Sequence, residues 1–173
     1  MLTTARLSLR ELAAQDAPFV VDLMNDPSFI EFIGDRGVRT IEDARRYIET
    51  GPWTQYSVHG FGLWLVALRE GPTPIGICGL LKRDALPAPD IGFAFAAAYR
   101  SQGYAFEAAS AVKALARERF HASSLLAIVS PSNSASIRLL ERLGLAFDRM
   151  VTLSPGAAPI ALYALSFDTM PPP

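Results

Sequence analysis

The sequence predicts a mixed α/β fold in which a largely antiparallel β-sheet carries helices packed against it. Three strand-like apolar runs follow one another in the middle of the chain, joined by short links rich in Gly and Pro: FGLWLVALRE, PIGICGLLKRD and IGFAFAA. Straight after them, the spacing of apolar residues changes from two to three or four, which is typical of a helix. The chain has 173 residues, half of them hydrophobic, which fits one domain around one core, residues 1–173.

The first 60 residues predict one strand and two helices. ARLSLREL alternates apolar and polar residues, as a half-buried strand does. Asp16 is expected to cap a helix that Asn25-Asp26-Pro27 ends, because a residue before proline avoids helical dihedrals. Thr40 is expected to cap a second helix, IEDARRYIET, which Gly51-Pro52 terminates. FIEFIGDRGV, between the two helices, predicts a loop or broken helix of the kind that often borders a substrate pocket.

The second half of the chain predicts two helices and three strands. Small and apolar residues between Ala105 and Ala116 line one face of a long helix, and SSLLAIVS follows as a short buried strand. NSASIRLLERLG predicts a helix with Asn133 near its cap and Gly144 at its C-terminal end. LAFDRMVTL and PIALYALSF close the sheet, and residues 170–173, Met-Pro-Pro-Pro, are expected to form a frayed tail.

Composition argues against several classes of partner and ligand. The formal net charge is -1, so neither nucleic acid nor an anionic membrane is an expected partner. No stretch reaches the roughly 18–20 apolar residues of a membrane span, and the N-terminus does not resemble a signal peptide. Cys78 is the single cysteine, which suits a reducing cytoplasm. His59 and His121 lack metal-ligand spacing, so no metal site is predicted.

The stretch Arg100–Ala105, RSQGYA, is the main candidate for a binding site because it joins a strand to a helix. The start of a helix exposes N–H groups without helical acceptors, and the helix dipole favours an anion there. Gly103 permits close approach of a phosphate, Ala105 stays small, and Arg100 adds a charged donor. Glu107 in the first turn is favoured by the same dipole. The alternative is an ordinary turn beside a surface arginine, because the stretch is neither a P-loop nor a dinucleotide fingerprint.

Several motifs together resemble one known family. RSQGYA is similar to the Q/R-x-x-G-x-G/A signature of GCN5-related N-acetyltransferases (GNAT). Four further stretches resemble motifs of the RimJ/RimL-type branch, which acetylates ribosomal proteins. ARLSLRELAAQDA is similar to its RL-x-LR…D opening, and PIGICGL to its IG-x-x-GL strand. DIGFAF is similar to its (D/E)-IG-(Y/F) strand, and SNSASIRLLERLGL to its N-x-x-S…LE-x-LGF helix. The motifs follow the family's order from Arg6 to Leu145, so the chain is identified as a member by resemblance.

The resemblance implies a GNAT fold, whose mixed, mostly antiparallel sheet splays open between its central strands and carries helices on both faces. It implies acetyl-CoA as the cosubstrate. The residues that it places at the cofactor are the strand residues Phe93, Ala94 and Phe95 (pantetheine), the loop residues Arg100, Ser101, Gln102, Gly103, Tyr104 and Ala105 (pyrophosphate), and Asn133 beside the slot.

The resemblance also implies direct acetyl transfer to a primary amine, either a protein N-terminus or a small molecule, by a monomer or homodimer. Asp90 is the candidate general base, although an aspartate also commonly ends a turn such as PAPD. Ser136 is a candidate acid for the leaving thiolate, although a serine in the first turn of a helix often serves the backbone. Tyr163 is a further possibility. Leu140 stands where many relatives have a tyrosine acid, which leaves open a non-catalytic acetyl-CoA-binding module.

Overall fold

The computed structural model describes residues 1–168, so the tail expected at residues 170–173 lies outside the described residues. The strands are β1 (Leu2–Thr3), β2 (Leu7–Glu11), β3 (Leu63–Leu68), β4 (Pro74–Leu81), β5 (Asp90–Phe95), β6 (Ser124–Val129), β7 (Ala146–Val151) and β8 (Ile160–Ser166). The α-helices are α1 (Ala17–Met24), α2 (Pro27–Phe32), α3 (Ile41–Ile48), α4 (Thr54–His59), α5 (Tyr104–Glu118) and α6 (Ser134–Arg142). None of the helices in this part of the chain has the length and apolarity needed to cross a bilayer.

All eight strands form one sheet in the order β1-β2-β3-β4-β5-β6-β8-β7. Every neighbouring pair is antiparallel except β5 and β6, which are parallel. The described pairing between these two strands is limited to Asp90 opposite Leu126, whereas every residue of β5 pairs with β4. The sheet therefore opens beyond Asp90, and the expectation of a mixed, mostly antiparallel sheet that splays between its central strands is confirmed.

Helices cover both faces of the sheet because the strand side chains alternate between the faces. On β4, Cys78 packs in the core that contains Ala109 and Val112 of α5, while Ile77 packs in the core that contains residues of α1 and α3. Leu140 of α6 lies on the same face as α5. Burial raises the pKa of the Cys78 thiol well above its usual range, so this cysteine is an inert core residue.

The region between α1 and α3 is more helical than predicted, because FIEFIGDRGV begins inside helix α2. The carboxylate of Asp26 accepts hydrogen bonds from the backbone N–H groups of Ser28 and Phe29, which caps the helix. Pro27 occupies the first helical position, where its missing N–H and fixed φ are compatible with the helix. Asp26-Pro27 therefore ends one helix, as predicted, and also starts the next.

Asp16 sits at the predicted N-cap position of α1 but does not cap the helix with its side chain. The two carboxylate oxygens accept hydrogen bonds from Arg10 at 2.7 Å each, and one also accepts from the N–H of Ala13 at 2.8 Å. The local pattern identified the start of α1. The partner of the Asp16 side chain depends instead on β2, which carries Arg10.

The prediction that Gly51-Pro52 ends the second helix is wrong. The chain continues through a π-helical turn, Glu49–Trp53, directly into α4, which ends at Gly60 with φ +74°. The wider turn accommodates the proline ring, which clashes inside a regular α-helix. Distant contacts hold the continuation in place: Trp53 Nε1 donates to the carbonyl of Leu12 at 2.7 Å, and the Tyr56 hydroxyl accepts from the N–H of Leu12 at 3.1 Å.

The second glycine of the PIGICGL motif has a packing reason. A Cβ at Gly79 would lie 2.0 Å from the carbonyl oxygen of Gly62 and 2.8 Å from Cα of Leu63, which are both backbone atoms. No side-chain adjustment relieves such contacts, so the close approach of the chain ahead of β3 to β4 requires glycine here.

Candidate active site

A cavity of about 950 Å³ opens where β5 and β6 diverge. One of its ends, called here the junction end, is lined by residues of the Arg100–Phe106 stretch and of α6. The other, called here the α2–α3 end, is lined by Phe29, Phe32, Ile33, Arg36, Tyr47, Gly51, Pro52, Gln55, Leu81, Arg83 and Asp90. Residues of β5 and β6, including Phe93, Phe95 and Ile128, line the same cavity, so an elongated ligand and a smaller one have room beside β5.

Strand β5 presents unpaired backbone groups to the split. The N–H of Ala96 donates to the carbonyl of Ile75, just before β4, at 2.9 Å. Because successive residues in a strand direct their backbone groups to opposite sides, those of Phe93 and Phe95 point away from β4 and into the split. Arg100 Nε donates to the carbonyl of Phe95 at 2.8 Å, which agrees with this direction. Ala94, paired with Ile77, turns its backbone groups to β4 and lines the cavity by other atoms.

The Arg100–Ala105 junction exposes a series of backbone N–H groups. Ser101 and Gly103 have φ values of +59° and +82°, and α5 begins immediately afterwards at Tyr104. Within residues 1–168, the N–H groups from Ser101 to Phe106 donate no hydrogen bond to any protein acceptor. Left-handed residues that alternate with other conformations turn successive N–H groups into anion-binding concavities, and the helix dipole adds to the effect. The junction is therefore chemically suited to a phosphate or another oxyanion.

The Arg100 side chain is directed to protein groups. Besides Phe95, its guanidinium donates to the Ser28 hydroxyl and to Asp26 Oδ1, the latter at 2.7 Å. Desolvation raises the pKa of Asp26, but hydrogen bonds from Ser28 and Arg100 outweigh it and lower the pKa to about 2. Arg100 thus ties the junction to the cap of α2 and the end of β5. The sequence prediction of a charged donor aimed at the ligand did not foresee these partners.

A second set of contacts joins the N-terminal segment to the junction. The carboxylate of Glu107 accepts from the Thr4 hydroxyl at 2.6 Å, from the Arg6 N–H at 2.8 Å and from Arg6 Nε at 2.7 Å. Arg6 also donates to the carbonyl of Gln102 at 3.1 Å and lies 4.4 Å above the ring of Tyr104. Glu107 therefore does more than complement the helix dipole, because it anchors the segment that buttresses the junction.

Replacing Glu107 with glutamine is expected to lower the free energy of unfolding by about 1–2 kcal/mol, because a charged acceptor shared by three donors becomes neutral. Desolvation raises the pKa of Glu107, but the hydrogen bonds from Thr4 and Arg6 outweigh it and hold the pKa below its ordinary value. The stabilisation is therefore present above that ordinary value and is lost as the pH falls below it.

Urea unfolding at neutral and acid pH measures this effect, and Glu118→Gln at the other end of α5 is the matched control. Glu118 is exposed and has no partner among residues 1–168. An unchanged unfolding free energy in Glu107→Gln at neutral pH would contradict the anchoring role.

The first turn of α6 brings two predicted residues to the cavity. Asn133 caps the helix, since its Oδ1 accepts from the N–H of Ser136 at 3.0 Å, and both residues line the cavity. The Ser136 hydroxyl has no hydrogen-bond partner among the described residues. Leu140 is buried, and Tyr163 packs edge-on against Phe147 with ring centres 5.8 Å apart, away from the cavity. Of the candidate acids, Ser136 alone has a polar group at the cavity.

Asp90 lies at the apex of the split, where β5 and β6 stop pairing. Its side chain is only 1% exposed, and Arg83 Nε contacts its two carboxylate oxygens at 3.0 and 3.1 Å. Burial raises the pKa of Asp90, the positive charge of Arg83 opposes this shift, and the net result is a pKa above the ordinary value. A carboxylate with a raised pKa at a cavity wall is a typical candidate for proton transfer.

The polar residues of the α2–α3 end that sequence reasoning missed include Arg36, Tyr47 and Arg83. The only sequence signal was the glycine-containing segment FIEFIGDRGV, which was expected to border a pocket and supplies Phe32, Ile33 and Arg36. Tyr47 comes from α3 and Arg83 follows β4, so only the folded chain brings the three together.

The sequence matches a known protein family. The model of the Acetyltransferase (GNAT) domain family matches residues 6–146, and the chain belongs to this family. The resemblance seen in the motifs is thereby confirmed. Among curated relatives, the uncharacterized protein YkkB of Bacillus subtilis (strain 168) is 28% identical over 167 residues, which cover 94% of this chain and 93% of the relative.

Solved structures agree with this assignment. An acetyltransferase from Agrobacterium tumefaciens strain C58 superposes with a TM-score of 0.81 at 27% identity, covering 95% of this chain and 92% of that one. RimL, a ribosomal L7/L12 alpha-N-protein acetyltransferase in complex with coenzyme A, also gives a TM-score of 0.81 at 15% identity, covering 96% and 97% of the two chains. The likeness to RimL is one of fold.

Proposed function

We propose that this protein is an acetyl-CoA-dependent N-acetyltransferase that transfers the acetyl group to a primary amine of a protein N-terminus or a small molecule. The observation that carries the proposal is the row of N–H groups from Ser101 to Phe106 without protein acceptors, at one end of a split sheet. Related folds with coenzyme A bound, such as RimL, support it further. The residues present therefore fit a cofactor that has both a pyrophosphate and a long peptide-like arm.

The backbone of Ser101–Ala105 would hold the pyrophosphate, with Gly103 permitting close approach. Arg138 and Arg142 add positive charge at the junction end, and Arg142 lies 4.3 Å over the ring of Phe106. The outward N–H and C=O of Phe93 and the outward N–H of Phe95 would pair with the amide-containing arm, and Asn133 would face it from α6. Arg100 contributes by fixing the junction relative to β5 and α2.

When bound, acetyl-CoA supplies a thioester carbon that is open to attack by an amine. The amine must be neutral to attack, yet a lysine-type amine titrates near about 10.4 and an α-amine near about 8. Asp90 takes the proton, directly or through a water molecule, and Arg83 holds the carboxylate in place. The outward N–H of Phe93 would donate to the thioester oxygen as negative charge develops on it.

Ser136 donates a hydrogen bond to the sulfur as it departs, directly or by way of a water molecule. In balance, the amine nitrogen forms an amide bond with the acetyl carbon and the carbon–sulfur bond breaks. The sulfur keeps that electron pair and leaves as a thiolate, and the proton that the amine loses passes to Asp90. The Ser136 hydroxyl suits this role because no described residue engages it and it lines the cavity.

A non-catalytic acetyl-CoA-binding module of the same fold is the second candidate, favoured by the buried Leu140 at the position of the usual tyrosine acid. One experiment separates the two. Calorimetry measures acetyl-CoA binding, and a thiol-reactive dye then follows release of coenzyme A with a panel of amines. The enzyme is expected to bind the cofactor and to release thiol only when an amine is present. Binding without release for every amine supports the module, and absence of binding overturns both.

A further inference from the structure

The α2–α3 end of the cavity carries an arginine without a protein partner. Arg36 lies in the loop between α2 and α3, lines the cavity, and makes no hydrogen bond or ion pair with any of residues 1–168. The neighbouring acid, Asp35, is already engaged. Its carboxylate contacts Arg39 at 2.6 Å and accepts a hydrogen bond from the N–H of Gly37 at 2.8 Å. The positive charge of Arg36 is therefore left for another group.

Arg83 offers a second set of donors at the same end. Its Nε contacts Asp90, but its terminal Nη1 and Nη2 groups have no acceptor among the described residues. The side chain is 33% exposed and lines the cavity, so it is accessible to a ligand there. A guanidinium that uses Nε for one carboxylate still presents N–H groups suited to a second oxyanion.

Tyr47 lies within electrostatic reach of both arginines. Tyr47 lines the same end, and its hydroxyl has no hydrogen-bond partner in residues 1–168. Burial raises the pKa of Tyr47, while the positive charges of Arg36 and Arg83 act against that shift, so both cations lie within electrostatic reach of the hydroxyl. At neutral pH the hydroxyl is protonated and able to donate.

The charges at this end do not balance without a ligand. Its charged residues are Arg36, Arg83 and Asp90, which leaves one positive charge in excess. Lys82, next in the chain to Arg83, adds a further positive field at Asp90, and its ammonium group donates to the carbonyl of Leu86 at 2.8 Å. The remaining wall is apolar and includes Phe29, Phe32 and Ile33.

Building on the proposed function, we propose that the acceptor is a small primary amine that also carries an anionic group, such as a carboxylate, a few bonds from its nitrogen. Arg36, the terminal N–H groups of Arg83 and the Tyr47 hydroxyl bind the anion, which leaves the amine beside Asp90. The contact between Arg83 and Asp90 fits an amino acid, in which amine and carboxylate are close neighbours. The apolar wall favours an apolar side chain, as in leucine.

Matched amines test the proposal, with thiol release from acetyl-CoA as the readout. Leucine is compared with leucinamide and with 3-methylbutylamine, which keep the amine but lack the carboxylate. We expect kcat/KM for leucine to exceed both by at least about tenfold, the order of one charge-assisted contact. The amine of leucinamide has a lower pKa than that of leucine, so a larger fraction of it is neutral and able to attack. This difference alone would favour leucinamide, which is opposite to the expected result. Equal or higher kcat/KM for the neutral amines, or for a peptide without acidic groups, overturns the inference and leaves the proposed function standing.

Arg36→Gln provides the second test. It is expected to raise KM for leucine at least about tenfold, to change kcat little, and to remove the preference over leucinamide. Arg45→Gln on the outer side of α3 is the matched control, because Arg45 does not line the cavity. Unchanged KM in Arg36→Gln overturns the assignment of the anion site. Absence of thiol release with every amine overturns the proposed function and, with it, this inference.

Discussion

Gly103→Glu is expected to weaken acetyl-CoA binding by more than about 100-fold, which calorimetry measures directly. Gly103 has φ +82°, and a Cβ there would lie 3.3 Å from Nη2 of Arg6. Any side chain at this position therefore meets backbone strain of about 1 kcal/mol and displaces the arginine that buttresses the junction. Glutamate adds a negative charge beside the N–H groups that are proposed to hold a pyrophosphate, so repulsion adds to strain.

The matched control is Gly103→Gln, which has nearly the same size and the same backbone strain but no charge. It is expected to lose about tenfold in affinity, with the glutamate variant at least another tenfold weaker. Circular dichroism and thermal unfolding establish that both variants fold. Wild-type affinity in Gly103→Glu would remove the central support for a phosphate at this junction, and equal losses in the two variants would point to strain alone.

The helix caps and the strand-to-helix junction of the candidate site could be predicted from the sequence, because they arise from local signals. Thr40 and Asn133 accept hydrogen bonds from N–H groups three residues ahead, which is a pattern readable from neighbouring residues. The junction from Arg100 to Ala105 is a strand-to-helix connection with a glycine in the left-handed region, and it too was placed correctly in the fold. The assignment of its N–H groups to a cofactor stays a prediction.

Side-chain partners far apart in the chain were beyond the reach of local patterns. Arg100 pairs with Asp26, 74 residues away, and Glu107 with Arg6, 101 residues away. The same holds for the continuation past Pro52, where contacts with Leu12 outweigh the local tendency to end the helix. Such pairings depend on which strands become neighbours, and only the assembled sheet determines that.

Asp90→Asn is expected to lower kcat at neutral pH by about 10²- to 10⁴-fold, the usual contribution of a positioned base. Asparagine keeps the shape and can still accept from Arg83, but it cannot take a proton from the amine. Because burial raises the pKa of Asp90 against the opposing charge of Arg83, wild-type activity falls as the pH drops through that raised pKa. The acid limb of the pH–rate profile should therefore disappear in the variant.

The pH dependence of stability provides an independent check on the ionisation of Asp90, and its sign is opposite to that of an ordinary ion pair. The pKa of Asp90 is higher in the folded state than its ordinary value, so ionisation of the buried carboxylate costs folding free energy. This cost is absent below the ordinary value and develops as the pH rises through the folded-state pKa. Relative to wild type, the free energy of unfolding of Asp90→Asn should therefore improve between acid and neutral pH.

Asp16→Asn is the matched control for Asp90→Asn, because Asp16 is the other buried carboxylate in residues 1–168 and also pairs with an arginine, Arg10. Its pKa is shifted the other way, since desolvation raises it but hydrogen bonds from Arg10 and Ala13 outweigh that effect. Relative to wild type, the Asp16→Asn variant should therefore lose stability as the pH rises from acid to neutral. It should keep kcat, because Asp16 does not line the cavity. If Asp90→Asn also keeps kcat and its acid limb, Asp90 serves only as the structural partner of Arg83, and the amine must lose its proton by another route.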